Sequence, residues 1–403
     1  MTKFKLPAIP IVVLIILSAN SSVGHRYFEF DSSWPDESVP DLQLHGTAIA
    51  PDYENNLVVL NRGSRHAIPD RNLTIDEDIV TVLDHETGKV LRTWGRNLFH
   101  HPHGIETASN GDIFITDSHL HQVFKFAYIP ETKLWNNESI MTLGERLVNG
   151  SGRYHFYIPA DVAIEPDTEN FYVADGYGNT RVVKFDRCGN YILEFSAGSS
   201  DGSAPIPFNI VHMLTVAVRH TPTANRALRR SAANQDIVVA VADRDNFRIQ
   251  YFSGNGSFLY EQTSAQLGTP NTFLMSVAHV DVNPREAPYN ADVDAEFGIV
   301  YAVDLGTFAI PPVVIEIGVG WSEPSIISQF STNISDPFLR RGAAHDIAVS
   351  KNGEEVYVVV SNSSSLIIKR FQMKVESSAT RSVLMSSLFM FIMTYLSSAL
   401  LTQ

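Results

Sequence analysis

Cysteine occurs once in the 403 residues, as Cys188. A single thiol closes no internal disulfide, so stability has to come from a packed apolar core. Cys188 lies in Asp186-Arg187-Cys188-Gly189-Asn190, which reads as a turn with an inert residue; an intermolecular bridge is the other reading. Basic charge is also short. Lys and Arg number 30 against 44 Asp and Glu, a net charge of −14. Phosphate binding needs a basic surface, so nucleic acid is excluded as a partner. Disorder is excluded as well, since 44% hydrophobic and 18% charged residues are the proportions of a globular chain.

The chain does have repetition. In His100 to Phe126, HHPHGIETASNGDIFITDSHLHQVFKF, an apolar start at His103-Gly104-Ile105 leads through an Asn110-Gly111 turn to the alternating run Asp112 to Asp117. A second run follows, Gln122 to Phe126. Alternation around an Asn-Gly turn is a strong hairpin signal. The unit recurs from Ala160 to Asp186, from Val211 to Phe252 and from Ala344 to Phe371, with a weaker copy at His45 to Leu60. From His103 to Ala160 to His212 the intervals are 57 and 52 residues. Small antiparallel sheets cannot bury both faces alone, so they stack around an axis as a β-propeller. At roughly 40–50 residues per blade, about six fit. An all-β, six-bladed propeller is therefore expected over residues 42–372, with a fifth blade that the pattern between 260 and 335 does not place. Residues 219–236 read as an insertion within a blade and carry Arg226, Arg229 and Arg230.

The ends differ in character. Residues 1–24 join a basic start to an apolar run, Leu6 to Leu17, and then small residues. That is the pattern of a secretory signal, shorter than the ~20 residues of a membrane span. An irregular lead-in is expected over 25–41. Sequons at Asn72, Asn137, Asn149, Asn255, Asn333 and Asn362 fit a secretory or extracellular chain. In the C-terminal part, 373–403, Val383 to Leu401 are 19 residues without a charge, long enough to span a bilayer. A GPI-attachment signal, a plain membrane anchor and a soluble processed form all stay open.

Four side-chain sets carry candidate chemistry. His103, His212 and His345 hold one register position in three repeat units. A lone His is more often structural, but equivalent propeller positions converge on the axis. Three neutral imidazoles suit Zn²⁺ with one position left open. His45 shares the register, as competing ligand or neighbour. Arg62 ends a strand, where a planar fork can hold a carboxylate, though an exposed loop Arg is the plainer reading. Tyr177, in a Gly-containing loop, is either a packing Tyr or a phenol whose pKa neighbouring cations lower so that it serves as a base. Arg244 occupies the same loop one unit later and is expected beside Tyr177. His119 and His121 read as solvated or structural.

Taken together, Asn61-Arg62-Gly63, Gly95 to Phe99 with Pro102-His103-Gly104, Leu120 to Lys125, Asp175-Gly176-Tyr177 with Asn179, and Ala242-Asp243-Arg244 resemble the peptidyl-α-hydroxyglycine α-amidating lyases, an NHL-repeat family. The resemblance covers roughly residues 42 to 372. It implies a six-bladed propeller with a catalytic Zn²⁺ on His103, His212 and His345. It implies a structural Ca²⁺ on the carbonyls of Thr47 and Ile105 and the carboxylate of Asp346. Arg62, Tyr177 and Arg244 match the family's active-site residues. The implied reaction splits a peptide ending in α-hydroxyglycine into an amidated peptide and glyoxylate, in neuropeptide and hormone maturation. Its substrate would come from a separate peptidylglycine monooxygenase, since no such unit is present here, and the chain is expected to be a monomer.

The chain departs from the family at definite places. The family's two disulfides are replaced by Tyr157 with Gly178 and by Ala240 with Tyr251. Ala343-Ala344 and Val211 stand before two of the histidines in place of Met-Pro and Pro, which bears on the pocket wall. Val360-Ser361 replaces Gly-Asp in the last blade. The competing expectation is a non-catalytic cell-surface propeller that binds a protein or peptide, and retention of all six site residues separates the two readings.

Overall fold

The computed structural model describes residues 25–35, 45–63, 73–199, 201–219, 237–282, 296–306, 311–320, 324–331, 343–361 and 366–376. Two compact units divide the chain, residues 27–374 and the two ends, 1–26 with 375–403. Only strand-end residues of the second unit are described. The expected signal, the C-terminal apolar segment, the Arg226 cluster and the sequons at Asn72, Asn333 and Asn362 lie outside the described residues. Among the described residues no helix is long and apolar enough to cross a membrane.

The fold begins with a strand, β1 (His25–Phe30), where an irregular lead-in was expected. The first blade is β2 (Gly46–Pro51), β3 (Leu57–Asn61), β4 (Val80–Leu83) and β5 (Val90–Trp94). The second is β6 (Pro102–Thr107), β7 (Ile113–Asp117), β8 (Gln122–Ile129) and β9 (Leu134–Leu143). The third is β10 (Asp161–Ile164), β11 (Phe171–Asp175), β12 (Arg181–Phe185) and β13 (Tyr191–Phe195). The fourth is β14 (Val211–Val218), β15 (Ile237–Asp243), β16 (Arg248–Ser253) and β17 (Phe258–Thr263). The fifth, which the repeat pattern did not place, is β18 (Leu274–Val280), β19 (Ile299–Asp304), β20 (Val313–Gly318) and β21 (Ser325–Ser331). The sixth has β22 (Ala343–Val349), β23 (Glu355–Ser361) and β24 (Leu366–Glu376), and takes β1 as its outer strand. A strand from the start of the chain thus closes the ring.

Each inner strand packs on the next, β2 on β6, β6 on β10, β10 on β14, β14 on β18, β18 on β22, and β22 back on β2. That circuit is the six-bladed β-propeller. Strand alternation explains why it closes. Val58 and Leu60 of β3 pack toward the second blade, whereas Leu57 and Val59 pack toward the sixth. All four are fully buried. A side-chain period of two gives each sheet two apolar faces, and only a ring covers both. Apolar clusters fill the spaces between neighbouring blades all the way round.

One buried ion pair sits within this apolar packing. Lys184 Nζ lies 2.7 Å from Glu165 Oε1, with side chains only 2% and 1% exposed. Lys184 also donates to the Gly254 carbonyl, and the Tyr172 hydroxyl donates to Glu165. Removing one partner strands a buried charge, at a cost of about 3–5 kcal/mol. Lys184→Met is therefore expected to lower unfolding stability by about 3 kcal/mol, read from urea midpoints. Adding Glu165→Gln is expected to recover part of the loss.

Candidate active site and metal centre

The blades carry their loops on aspartates at the ends of their second strands. Asp117 accepts the backbone N–H groups of His100 and His101 on one oxygen and of His119 and Leu120 on the other. Asp175 accepts Tyr157 N–H, Asn179 Nδ2 and Arg181 Nε. Asp243 accepts Asn209 N–H, Asn246 Nδ2 and Arg248 Nε. In the second, third and fourth blades these carboxylates fix the entry to the inner strand and the loop opposite it, whereas the first and sixth blades have Asn61 and Ser361 at that strand end. His103, Tyr177, His212 and Arg244 stand on the segments so held.

His103, His212 and His345 lie on β6, β14 and β22 and meet as the sequence predicted. Their ring centroids are 5.1, 5.1 and 4.9 Å apart, and their ligand nitrogens all lie within 4.8 Å of one another. Nitrogens about 2.0–2.1 Å from one zinc can be at most about 4.2 Å apart. The rings therefore stand within a short side-chain movement of one coordination sphere.

Backbone carbonyls of other blades set the tautomers. Nδ1 of His103 lies 2.9 Å from Ala160 O, Nδ1 of His212 2.7 Å from Met275 O, and Nδ1 of His345 2.5 Å from Thr47 O. A carbonyl only accepts, so each Nδ1 carries the proton and each Nε2 presents a lone pair. Nε2 of His212 is buried without a hydrogen-bond partner, an orphaned acceptor of the kind a metal satisfies. Burial, then neighbouring imidazoles and guanidiniums, hold His103 and His212 well below the usual histidine range. Burial and Arg62 bring His345 down to about 3. Neutral, oriented imidazoles are a donor set that fits zinc. His45 opposes protonation of His345 but is outside the converging set.

Tyr177 follows β11 and reaches the same point. Its hydroxyl is 3.1 Å from His103 Nε2 and accepts from a terminal nitrogen of Arg244 at 3.1 Å. With the His103 proton on Nδ1, the phenol donates to Nε2, the lone pair a metal would take. The Arg244 guanidinium also lies 5.3 Å from the Tyr177 ring centre and is held by Asp245 at 2.7 Å. Arg62 follows β3 and donates through Nε to Pro102 O at 3.0 Å, beside His103. The phenol differs from expectation in one respect. Burial raises its pKa above the ordinary value, and the opposing pull of Arg244 and Arg62 does not overcome it.

On the same inner strands lies a group of carboxylates. Asp346 accepts Ser276 Oγ–H at 2.6 Å and the N–H groups of Ile49 and Ile347 at 2.8 Å each. Burial still pushes it up to about 6. Glu106 rises to about 7 and Asp161 well above the carboxylate range, first through burial and then through the Asp346 charge. Strand approach is close here. A Cβ on Gly104 would lie 2.6 Å from Asp161 Oδ1, so β6 admits only glycine at that point. Asp346, Thr47 and Ile105, to which the resemblance gives a calcium ion, stand on three inner strands that pack on one another, β22, β2 and β6. Glu106 and Asp161 are further buried carboxyl groups that no motif in the sequence announced, and their raised pKa values favour the neutral form.

A cleft of about 550 Å³ opens over the histidines, lined by Arg62, His103, His345 and Tyr177 at its inner end. Its outer wall is His101, Ser118, His119, His121, Asn149, Tyr157 and Ile158. His119 and His121, read from the sequence as solvated or structural, are thus cleft residues. His121 accepts Ile158 N–H on Nδ1, which leaves its other ring nitrogen as the donor. The sequon residues Asn137, Asn149 and Asn255 are all exposed, and a glycan on Asn149 would stand at the cleft entrance. Cys188 is a free, exposed turn residue, as read. The positions of the missing disulfides are filled by volume. Ala240 and Tyr251 are cross-strand partners and fully buried, and the Tyr157 ring lies over Gly178.

Known proteins resemble this chain in sequence. The NHL repeat model matches residues 99–126, which include His103. Peptidyl-glycine alpha-amidating monooxygenase B of Xenopus laevis is 35% identical over 264 residues, 62% of this chain and 27% of that protein. Peptidyl-alpha-hydroxyglycine alpha-amidating lyase 1 of Drosophila melanogaster is 28% identical over 349 residues, 83% of this chain and 58% of the other. Lyase 2 of the same fly is 28% identical over 343 residues, 81% and 70% of the two chains. The chain spans about a quarter of the length of the first relatives it matches. In its six blades, its NHL repeat and its sequence, the chain is similar to the peptidyl-alpha-hydroxyglycine alpha-amidating lyases.

Proposed function

We propose that the protein is a zinc-dependent lyase that splits peptidyl-α-hydroxyglycine into a C-terminally amidated peptide and glyoxylate. The observation that carries this reading is the meeting of three Nε2-presenting histidines with the Tyr177 hydroxyl, itself held by Arg244. His103, His212 and His345 would hold the zinc, and Thr47, Ile105 and Asp346 a structural calcium. When bound, zinc supplies Lewis-acid stabilisation of the oxygen that develops negative charge.

The rest follows from this chain's own groups. The substrate is a carbinolamide with a carboxylate on the reacting carbon. Arg62, beside His103, and Arg244, on the Tyr177 hydroxyl, would pair with that carboxylate and orient it. Tyr177 would take the proton from the hydroxyl as phenolate, a form that burial alone disfavours and that the charge of a zinc ion beside it, with Arg244 and Arg62, would favour. The O–H electron pair becomes the new C=O bond of glyoxylate as the C–N bond breaks. Its electrons pass to the amide nitrogen, which gains a proton and leaves as the amidated terminus. The same phenol can return that proton, so no external acid is consumed. The substrates of this reading are neuropeptide and hormone precursors in the secretory pathway, hydroxylated by a separate monooxygenase, and the exposed sequons suit that setting.

The test is glyoxylate release from a synthetic peptidyl-α-hydroxyglycine. Release is expected from the zinc-loaded protein, is expected to stop with chelator, and should return on adding zinc. A folded, zinc-loaded protein that releases none would leave the propeller as a peptide-binding module.

A further inference from the structure

Tyr157 has the position of a recognition surface. It is 38% exposed, yet everything around it is fixed. Its N–H is held by Asp175 and its carbonyl accepts Gly178 N–H at 2.9 Å. The ring stands edge-on to His121, with centroids 5.7 Å apart. It presses on Gly178 so closely that a Cβ there would lie 2.2 Å from its Cγ.

The segment that carries Tyr157, between β9 and β10, is equally anchored. Arg181 donates to the carbonyls of Ser151, Gly152 and His155, and Asn179 donates to that of Gly150. A buried Arg held by Asp175 therefore clamps the loop to the third blade. An exposed aromatic ring on a rigid loop gives contact area with little ordering cost.

The cleft gives this ring an occupant. Its inner end, at His103, Arg62 and Tyr177, takes the hydroxyglycine of the proposed reaction. A volume of about 550 Å³ is far more than that small unit fills, and the remainder is bounded by Tyr157, His121 and Ile158. The part of a peptide that enters it is the residue bonded to the hydroxyglycine nitrogen. We infer that Tyr157 forms a subsite for the side chain preceding the hydroxyglycine, and that the subsite takes an aromatic or large apolar group. The inference rests on the lyase reading for which peptide end lies inward. The chemistry is ring-on-ring and ring-on-aliphatic contact, backed by Ile158 and the edge of His121.

The experiment compares N-acetyl-X-α-hydroxyglycine substrates with X as Phe, Leu, Ala and Asp. Glyoxylate release is expected to favour Phe over Ala by about 10-fold in kcat/KM, mostly through KM. Tyr157→Ala should bring that ratio to within about twofold, and Tyr157→Phe should keep it. Gly178→Ala keeps the ring but forces it to move, so it should also erode the ratio, which guards against a poorly folded Tyr157→Ala. A wild-type ratio near one, a preference for Asp, or a Phe preference that survives Tyr157→Ala would overturn the inference. Calorimetry with N-acetyl-Phe-Gly and N-acetyl-Ala-Gly tests the subsite without turnover. Absent glyoxylate with a retained, Tyr157-dependent Phe preference would sink the lyase reading and keep the subsite.

Discussion

His212→Ala is expected to lose zinc and activity together. Zinc content should fall from about one ion per chain to below about a tenth, and glyoxylate release by at least about 100-fold. Loss of a mere hydrogen-bond partner to a zinc-bound His costs about 10–100-fold in affinity or activity, so losing one of three ligands costs more. His212 is chosen because its Nε2 is the buried, unpartnered acceptor of the set. Metal analysis of the folded variant, beside near-normal circular dichroism, separates loss of the ion from loss of the fold. His119→Ala provides the contrast, since His119 lines the cleft without joining the converging three, and should keep its zinc. Full zinc content in His212→Ala would remove the metal centre from the account.

The same histidines set a pH dependence whose sign can be worked out. All three are depressed in the fold, His345 to about 3, against about 6.5 in an unfolded chain. Below pH 6.5 the unfolded state then binds protons that the folded state refuses. Stability of the metal-free protein is whole above that pH and is lost as pH falls through it. Zinc binding to imidazoles that are already neutral is expected to hold down to about pH 5.

Much of this site was legible in the sequence, and what escaped shares a physical cause. The three histidines showed because a repeat puts equivalent residues on equivalent inner strands, and a ring turns equivalence into convergence. Arg62, Tyr177 and Arg244 showed because each ends a strand at the same mouth. The partners that aim the histidines are the carbonyls of Ala160, Met275 and Thr47, and a backbone carbonyl has no signature in a side-chain pattern. The fifth blade has Met275 on its inner strand and no histidine at that register, and unlike the third blade, which also lacks one, its first two strands are not joined by a short turn. β1 was taken for lead-in because its partner β24 lies more than 300 residues away in sequence. The cleft wall escaped for a related reason. His121 and Tyr157 belong to different blades and become neighbours only when the loops fold over one another. The raised Tyr177 pKa is a matter of degree, since residue types name the charges that act on a phenol but not how deeply the fold buries it.

Tyr177→Phe is expected to lower kcat by about 10²–10⁴-fold, the range for removing a positioned general base, while KM changes little. The substitution takes away one oxygen. The ring still packs among the apolar residues between the third and fourth blades. The three histidines keep their carbonyl partners, so zinc content should be unchanged. Arg62 and Arg244 stay in place to hold the substrate carboxylate, which is why binding should survive. Arg244→Ala should behave in the opposite sense, raising KM by about 10–100-fold, since a charge-assisted bond to a carboxylate is worth about 1.5–3 kcal/mol. It should also lower kcat, because the same guanidinium donates to the Tyr177 oxygen and favours its ionised form. The measurement is steady-state glyoxylate release for both variants, with zinc determined on the same samples. If Tyr177→Phe loses less than about tenfold in kcat and instead gains in KM, the phenol holds substrate and the proton goes elsewhere.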